Sequence, residues 1–187
     1  MGFTRAELAA YAGKTVDDLL GPEIRLLFVG INPGLWTAAT NTHFCHPTNR
    51  FYPALRAAGL IDWGIDTLVG MNEEERRRLT AAGIGITNLV PRATVRASEL
   101  SRDELVHGAL RVERVVADVE PEVVAVAGLT AYRTAFGRPR AVLGLQSEPI
   151  GAAELWVVPN PSGLNAHETV GSLAEWYRRA AEAAGLT

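Results

Sequence analysis

The sequence predicts an α/β fold with three layers (α/β/α), in which helices cover both faces of a short and mainly parallel sheet. Short runs rich in Val, Ile and Leu stop at turn residues along the chain, which is typical of strands buried on both faces. Helical patterns separate these runs, and strands that alternate with helices indicate a parallel sheet. With 187 residues, 48% hydrophobic and 21% charged, we expect a single domain spanning residues 1–187.

Four apolar runs are the predicted strands. They are IRLLFV before Gly30, IGIT before Asn88, EVVAVA before Gly128 and ELWVV before Pro159. Ligands of such sheets bind beyond the carboxyl ends of the strands. The polar loops GINPG, NLVPR and PNPSGLNAH follow the first, second and last of these runs. We therefore expect the three loops to meet at one edge of the sheet.

Three segments carry helical signals that supply the outer layers. Asn49 to Ala58 is a short helical pattern that ends at Gly59. Ser101 and Glu104 form a capping box that opens a longer helix. The apolar stripe of that helix consists of Leu105, Ala109, Val112, Val116 and Val119. The segment Ser172 to Ala184 is a final amphipathic helix.

Apolar runs and metal-binding residue types exclude several classes of protein. No apolar run approaches the roughly 20 residues that span a bilayer, and the N-terminal segment lacks the apolar core of a secretory signal. We therefore expect a cytoplasmic protein with no membrane partner. The single cysteine, Cys45, excludes an internal disulfide and an iron–sulfur cluster, which needs about four thiolates. His43 and His46 have a metal-like spacing but no neighbouring carboxylate, so no metal site is predicted.

The net charge of −3 argues mildly against a polyanionic partner, but the charges are unevenly distributed. Acidic residues concentrate in the run 73–75 and at the two ends of the chain. Arginines recur in two groups, Arg92, Arg96 and Arg102, and Arg133, Arg138 and Arg140. A local basic face is compatible with this pattern, because electrostatic steering depends on where charge sits.

The loop GINPG, residues 30–34, presents one uncharged amide in front of a stiff turn. Gly30 lets a ligand approach the backbone, while Pro33 and Gly34 fix the bend that holds Asn32. The amide of Asn32 can orient a water molecule but has no useful pKa. It therefore suits a reaction whose bond breaks largely without a general base. The loop is neither a dinucleotide fingerprint nor a phosphate-binding loop, and a plain Asn-Pro-Gly turn is the alternative.

The linker WTAATNTHFCHPTNRFY after this loop is long for a connection between a strand and a helix. It contains Phe44, which lies between two histidines rather than in an apolar pattern. One interpretation is an aromatic side chain that anchors the core. The other is a flat face on which a planar base stacks.

The last loop, NPSGLNAH, places the apolar Leu164 between Gly163 and Asn165. Such a side chain either packs inward or acts as a wedge that enters a base stack. Ser162 and His167 are suitable donors to phosphate. A Ser–His hydrolase pair is disfavoured because no G-x-S-x-G elbow is present.

These loops resemble the motifs of one family. The segment GINPGLWTAATNTHFCHPTNRF is similar to the first motif region of the mismatch-specific uracil-DNA glycosylases, the bacterial relatives of thymine-DNA glycosylase. ITNLVPRATVRASELSRDEL resembles the middle segment of that family, and VVPNPSGLN resembles its second motif. The similarity runs from about Ile24 to Tyr177. Residues 1–22 form an N-terminal extension outside it and receive no functional interpretation.

The resemblance implies a uracil-DNA-glycosylase-like fold and a monofunctional enzyme. Such an enzyme flips a base out of duplex DNA and cuts its N-glycosidic bond. In this chain Asn32 corresponds to the residue that positions the attacking water. The backbone of Gly30 and Ile31 corresponds to the groups that hold the base edge.

The resemblance also assigns binding residues. Phe44 matches the stacking aromatic residue, and Asn88 matches a base-contacting asparagine of the thymine-glycosylase branch, where the bacterial type has a lysine. Gly163 and Leu164 match the wedge that fills the gap left by the flipped base and contacts the widowed guanine.

The last loop departs from the family pattern at two places. Asn165 and Ala166 stand where the bacterial type has Ser-Arg, which removes an arginine contact near the opposite base. NPSGLNAH also looks like the HPSxLSAH loop of the classical uracil glycosylases, with Asn160, a candidate substrate contact, in place of the first histidine. The water-activating aspartate motif of those enzymes is absent.

The implied mechanism is dissociative and needs no cofactor. The bond from C1′ to the base stretches, and backbone donors near Gly30 and Ile31, together with Asn88, stabilise charge on the leaving base. Water held by Asn32 then captures the sugar. The expected partner is double-stranded DNA containing a mismatched or damaged base, bound by a monomer.

Two alternatives stay open at the level of sequence. One is a protein that flips and binds damaged bases without cutting, and the other is an α/β nucleotide-binding module outside DNA metabolism. The sequence does not rank uracil, thymine, ethenocytosine and deaminated purines as substrates.

Overall fold

A computed structural model describes residues 2–187, and its central element is a five-stranded sheet. Residue 1 of the predicted domain lies outside this range. The strands are β1 (Leu26–Gly30), β2 (Ile84–Asn88), β3 (Val123–Ala127), β4 (Gly144–Leu145) and β5 (Glu154–Val158). They are arranged in the order β2-β1-β3-β5-β4, and only the short edge strand β4 is antiparallel. The predicted α/β fold and its four main strands are confirmed.

The helices of residues 2–187 precede, separate and follow these strands. They are α1 (Arg5–Ala9), α2 (Leu35–Thr40), α3 (Phe51–Ala57), α4 (Glu73–Ala81), α5 (Arg102–Val119), α6 (Leu129–Ala135) and α7 (Val170–Ala183). The helices predicted at 49–58 and 172–184 are α3 and α7, with ends shifted by one or two residues. The Ser101 side chain accepts from the N–H of Glu104, so α5 begins at its predicted capping box. None of the helices in this range combines the length and apolar character that crossing a bilayer requires.

Alternate residues of the strands enter two different hydrophobic clusters, which explains the continuous apolar runs in the sequence. In β1, Leu26 and Phe28 pack in a cluster formed with α3, α4 and α7. Leu27 and Val29 pack in the cluster formed with α5 and α6. Every residue of β1, β2 and β3 is buried. The sheet is therefore covered on both faces, and a ligand can reach it only at an edge.

The linker after β1 is not one long loop, contrary to the expectation from sequence. Its first part forms α2, which begins after Gly34 and ends at Asn41 in the left-handed conformation that asparagine tolerates. Thr37 and Thr40 are buried on one side of this helix. Because both residues are polar, their helical spacing did not register as an apolar pattern in the sequence. The remaining loop, residues 41–50, brings Phe44 to the carboxyl end of β1.

Candidate active site

The loops that follow β1 and β2 are hydrogen-bonded to each other at the carboxyl edge of the sheet. The N–H of Leu89 donates to the Gly30 carbonyl at 2.9 Å, and the N–H of Thr94 donates to the Pro33 carbonyl at 3.1 Å. The expected meeting of GINPG and NLVPR is therefore confirmed.

Asn32 is held by its amide nitrogen. Nδ2 donates to the Thr94 hydroxyl oxygen at 2.7 Å and lies 3.1 Å from the carbonyl oxygens of Pro33 and Arg92. The Thr94 hydroxyl donates its own proton to the Arg96 carbonyl, so its oxygen serves Asn32 as an acceptor. The oxygen Oδ1 of Asn32 is therefore the group left for a ligand. It can accept from a water molecule and so orient it.

Thr94 was not identified from the sequence. Arg92 was noted only for its charge, but its backbone carbonyl contacts Asn32. The Arg92 guanidinium is bound to Glu104 of α5, with Nε to Oε1 at 2.5 Å and Nη2 to Oε2 at 3.1 Å. The Arg92 side chain, followed by hydrogen bonds from Ser101, lowers the pKa of Glu104 to about 2. The ion pair therefore holds the loop whose carbonyl contacts Asn32.

The predicted basic face is smaller than the arginine count suggests. Besides Arg92, Arg138 is paired with Glu148, and Arg133 donates to the Ala141 carbonyl. Within residues 2–187, three exposed members of the two groups form no ion pair: Arg96, Arg102 and Arg140.

Gly30, Asn88 and Phe44 lie together at the carboxyl end of β1, and we call this cluster the Gly30 pocket. A Cβ at position 30 would lie 2.3 Å from Asn88 Oδ1 and 3.1 Å from Phe44 Cζ, so only glycine fits. Phe44 stacks on Phe51 of α3, with ring centroids 4.2 Å apart, and stays half-buried. Phe44 thus packs on the core, as the first interpretation of its sequence position expects, and the edge of its ring lies beside Gly30. Stacking of a base on Phe44 stays a prediction.

Asn88 presents its oxygen rather than its nitrogen to this pocket. Its Nδ2 lies 3.0 Å from Nδ1 of His43, whose Nε2 lies 2.8 Å from the Asp17 carbonyl. A carbonyl only accepts, so Nε2 carries the proton and Nδ1 of the neutral ring accepts from Asn88. Burial lowers the pKa of His43, which favours the neutral ring. One of the two Nδ2 protons of Asn88 is engaged by His43, and the expected role of Asn88 in stabilising negative charge on the leaving base stays a prediction.

Donors for a leaving base remain on the backbone at the end of β1. The N–H groups of Ile31 and Asn32 donate to no protein acceptor among residues 2–187. An anion growing on a planar base above Gly30 could accept from them. The role expected for the backbone of Gly30 and Ile31 stays a prediction, and these free donors are compatible with it.

The β5–α7 loop, residues 159–169, holds the remaining predicted residues as a second cluster. Leu164 is 92% exposed, which excludes the alternative that it packs inward. Gly163 lies against Thr48, because a Cβ at position 163 would be 2.4 Å from the Thr48 hydroxyl oxygen. The loop therefore exposes an apolar side chain, Leu164, next to a glycine, Gly163, that is tightly packed against Thr48.

The polar side chains of this loop form hydrogen bonds with the backbone of the loop itself. Asn160 Oδ1 accepts from the N–H of Ser162 at 2.9 Å, and Asn165 Nδ2 donates to the Asn160 carbonyl at 3.0 Å. Asn165 Oδ1 accepts from the N–H of His167, and the Ser162 hydroxyl accepts from the N–H of Leu164. Contacts of these side chains with substrate or DNA stay predictions.

Arg50, a residue that sequence reasoning missed, supports the β5–α7 loop from below. Its guanidinium donates to the carbonyls of Ser162 at 2.5 Å and Asn165 at 2.7 Å, and also to the carbonyl of Glu168. Arg50 ends the loop that carries Phe44, so one segment serves both clusters. A lone arginine in a polar loop gives no sequence signal for carbonyl partners 112 or more positions away.

Outside the two loop clusters, residues 2–187 contain a surface cleft but no candidate metal site. Within residues 2–187, no group of three or more His, Cys, Asp and Glu side chains is arranged to hold a metal ion. A surface cleft bordered by α5 and α6 is lined by Val106, Leu110, Tyr132 and Phe136, among others, and contains none of the candidate residues.

Comparison with known proteins identifies the family. A model of the Uracil DNA glycosylase superfamily matches residues 18–184. Among solved structures, the fold is similar to the solution NMR structure of a provisionally assigned uracil DNA glycosylase from Methanosarcina acetivorans. The TM-score is 0.55 with 16% sequence identity, over 90% of this chain and 98% of that chain, and this likeness shows the fold alone. Because the superfamily match spans both loop clusters and most of the sequence, the chain belongs to the Uracil DNA glycosylase superfamily.

Proposed function

We propose that this protein is a monofunctional DNA glycosylase of the mismatch-specific type. It flips uracil, or a related damaged or mismatched base opposite guanine, out of duplex DNA and hydrolyses its N-glycosidic bond. The superfamily supports DNA glycosylase activity and a DNA substrate in general. The assignment to the branch of mismatch-specific uracil-DNA and thymine-DNA glycosylases depends on the three motifs in the sequence. The protein acts as a monomer in base excision repair, in the cytoplasm and on the nucleoid of a bacterium.

The fixed amide of Asn32 carries this proposal. With Nδ2 held by Thr94, Oδ1 accepts a hydrogen bond from a water molecule and directs a lone pair of that water at C1′. Such a water is not deprotonated in advance, so it captures a sugar that already has oxocarbenium character. The bond to the base must therefore be largely broken before water attacks, as in a dissociative reaction.

The Gly30 pocket binds the base and stabilises it as it leaves. The absence of a side chain at Gly30 lets a planar base lie against the backbone, beside the ring of Phe44. The N–H groups of Ile31 and Asn32 stabilise the negative charge that the leaving base acquires. Hydrolysis then leaves an abasic site, and no step requires a cofactor.

The exposed Leu164 fits the need to extract a base from a duplex. An apolar side chain that is 92% exposed can fill the gap in a base stack, and Arg50 keeps its loop in place. Leu164→Ala should therefore reduce cleavage of duplex DNA more than cleavage of single-stranded DNA. Equal losses on the two substrates, under single-turnover conditions, would contradict the wedge role.

The test of the proposed function is single-turnover cleavage of a G·U duplex by the wild-type chain and Asn32→Ala. We expect the variant to lose most of the rate while it keeps its affinity for the duplex. The control is Gln146→Ala, which removes an amide that binds the Val142 and Gly144 carbonyls near β4. Tight binding by the wild type without any alkali-labile product would instead indicate a damage-binding protein. Undiminished cleavage by Asn32→Ala would refute the role of Asn32.

A further inference from the structure

The proposed mechanism makes no use of a histidine that is buried beside the pocket. His43 is 1% exposed and lies in the loop between α2 and α3. Its Nε2 donates to the Asp17 carbonyl, and its Nδ1 accepts from Asn88 Nδ2. The Tyr52 hydroxyl donates to the backbone carbonyl of His43 at 2.7 Å. The ring is therefore fixed at both nitrogens and through its own backbone.

The protonation state of His43 determines which way the Asn88 amide must turn. With a neutral ring, Nδ1 is an acceptor, Asn88 gives it Nδ2, and Oδ1 lies over Gly30. With a second proton on Nδ1, that nitrogen becomes a donor and Asn88 must offer it Oδ1 instead. The amide then rotates by half a turn, and Nδ2 faces the pocket.

We propose that His43 is a positioning residue that sets whether Asn88 offers an acceptor or a donor to the flipped base. This inference rests on the proposed function and deepens it. The neutral imidazole selects a base that has an N–H at this edge, such as N3–H of uracil. The protonated imidazole selects a base that has only acceptors there, such as 3,N4-ethenocytosine.

The groups around His43 favour the neutral ring. Burial is the largest influence on its pKa and lowers it. Arg76 of α4 and Arg111 of α5 also lower the pKa, whereas the Asp17 carbonyl and the Asp18 carboxylate raise it. The acceptor form of Asn88 should therefore prevail near neutral pH, and acid is needed to reach the donor form.

The N-terminal extension supplies the outer support of this arrangement. The Asp18 carboxylate accepts from the Thr87 hydroxyl at 2.7 Å and from Arg111 at 2.6 Å. Arg111 also donates to the Asn88 carbonyl at 2.9 Å. The residues that the sequence left without interpretation thus hold both His43 and the strand that carries Asn88.

The test compares two substrates in the same enzyme preparation. Single-turnover rates on duplexes with uracil and with 3,N4-ethenocytosine opposite guanine are measured at about pH 8 and at the most acidic pH at which the enzyme stays folded. The ratio of the two rates cancels the fraction of folded enzyme. We expect the ratio of uracil to ethenocytosine cleavage to fall about tenfold in acid, the effect of one hydrogen bond.

Substitutions at position 43 separate positioning from folding. His43→Leu should lower the ratio about tenfold at both pH values, because Asn88 loses its acceptor. His43→Gln restores an acceptor and a donor that do not titrate, so it should keep the uracil preference and abolish the change with pH. The control His46→Gln alters an exposed histidine of the same loop that bonds to Thr48, and it should behave as wild type.

A wild-type ratio that does not change with pH, or a His43→Gln ratio that still does, would overturn the inference. If His43→Leu does not fold, the comparison of wild type with His43→Gln decides. If the wild type cleaves neither duplex, the proposed function fails, and the ¹⁵N chemical shifts of His43 then test the inference alone. A neutral ring protonated at Nε2 is expected near neutral pH, and protonation at Nδ1 would refute it.

Discussion

Asn32 and Asn88 stand at the ends of neighbouring strands and both present an amide oxygen, but they are held in different ways. Nδ2 of Asn32 binds the Thr94 hydroxyl and two carbonyls, none of which titrates near neutral pH. Nδ2 of Asn88 binds the imidazole of His43, a group that changes charge in the physiological range unless its surroundings prevent it.

The difference shows how one type of side chain can serve two purposes. An amide has no pKa of its own, so its orientation depends on pH only through its partner. The partners of Asn32 do not titrate near neutral pH, so we expect its orientation not to change there, as the positioning of a water molecule requires. Asn88 has an adjustable partner, which suits the choice of a base.

The largest expected effect separates the two amides directly. Asn32→Ala should slow cleavage of a G·U duplex by at least about a hundredfold, the lower end of what a positioned catalytic group contributes. Asn88→Ala should slow it about tenfold, because it removes one hydrogen bond to the base. Single-turnover rates of the two variants give the ranking. A greater loss for Asn88→Ala would reverse the roles assigned to the two residues.

Asp18→Asn tests the support behind Asn88 and has the next largest effect. The variant leaves the part-buried guanidinium of Arg111 without its anionic partner, so the free energy of unfolding should fall by about 2 kcal/mol. Urea denaturation measures this change. The matched control is Asp62→Asn, whose carboxylate pairs with Arg78 at the surface and should contribute less than about 1 kcal/mol. Similar losses for both variants would show that Asp18 is an ordinary surface partner.

Thr94→Val tests the hydrogen bond that holds Asn32, because valine has nearly the same shape as threonine but no hydroxyl. The variant removes the hydroxyl that accepts from Nδ2, so the cleavage rate should fall about fivefold, equivalent to about 1 kcal/mol. The loss should appear in kcat rather than KM and should be the same at all pH values. Thr134→Val, which removes an exposed hydroxyl bound to Thr130 within α6, is the control. A loss that varied with pH would assign a titrating partner to Asn32 as well.

The smallest effect concerns the ion pair of Glu104 with Arg92. The pKa of Glu104 lies at about 2 in the folded protein, below its ordinary value of 4.5. Its contribution to stability is therefore complete above about pH 4.5 and is lost as the pH falls towards about 2. Thermal melts of wild type and Glu104→Gln should differ by a constant amount at higher pH and converge in that acid range. A difference that grew in acid would have the wrong sign for this pair.

Much of the fold could be predicted because its signals are local. Four apolar runs gave the main strands, and the capping box at Ser101 gave the start of α5. The position of Asn32 followed from the strand that ends at Gly30 and from the stiff turn around Pro33. Leu164 could be identified as unusual because an apolar residue at a polar loop tip has no local reason to be there.

The partners of these residues could not be predicted in the same way. Asn32 is oriented by Thr94, which is 62 positions away, and Asn88 by His43, which is 45 positions away. His43 looked like half of a metal-like pair, and Arg50 carried no signal at all. No pattern of hydrophobic residues records such contacts, since each one joins polar groups that distant strands and loops bring together.

The sequence by itself determined the layers, the strands and the edge at which polar residues collect, because side-chain burial repeats with the period of each element. Only the tertiary structure decided which atom of each amide faces the pocket. That choice depends on the donors and acceptors around Asn32 and Asn88, and these come from four separate segments of the chain, including Asp17 in the N-terminal extension. A hydrogen bond has a direction, and the direction is set by the partner rather than by the residue itself.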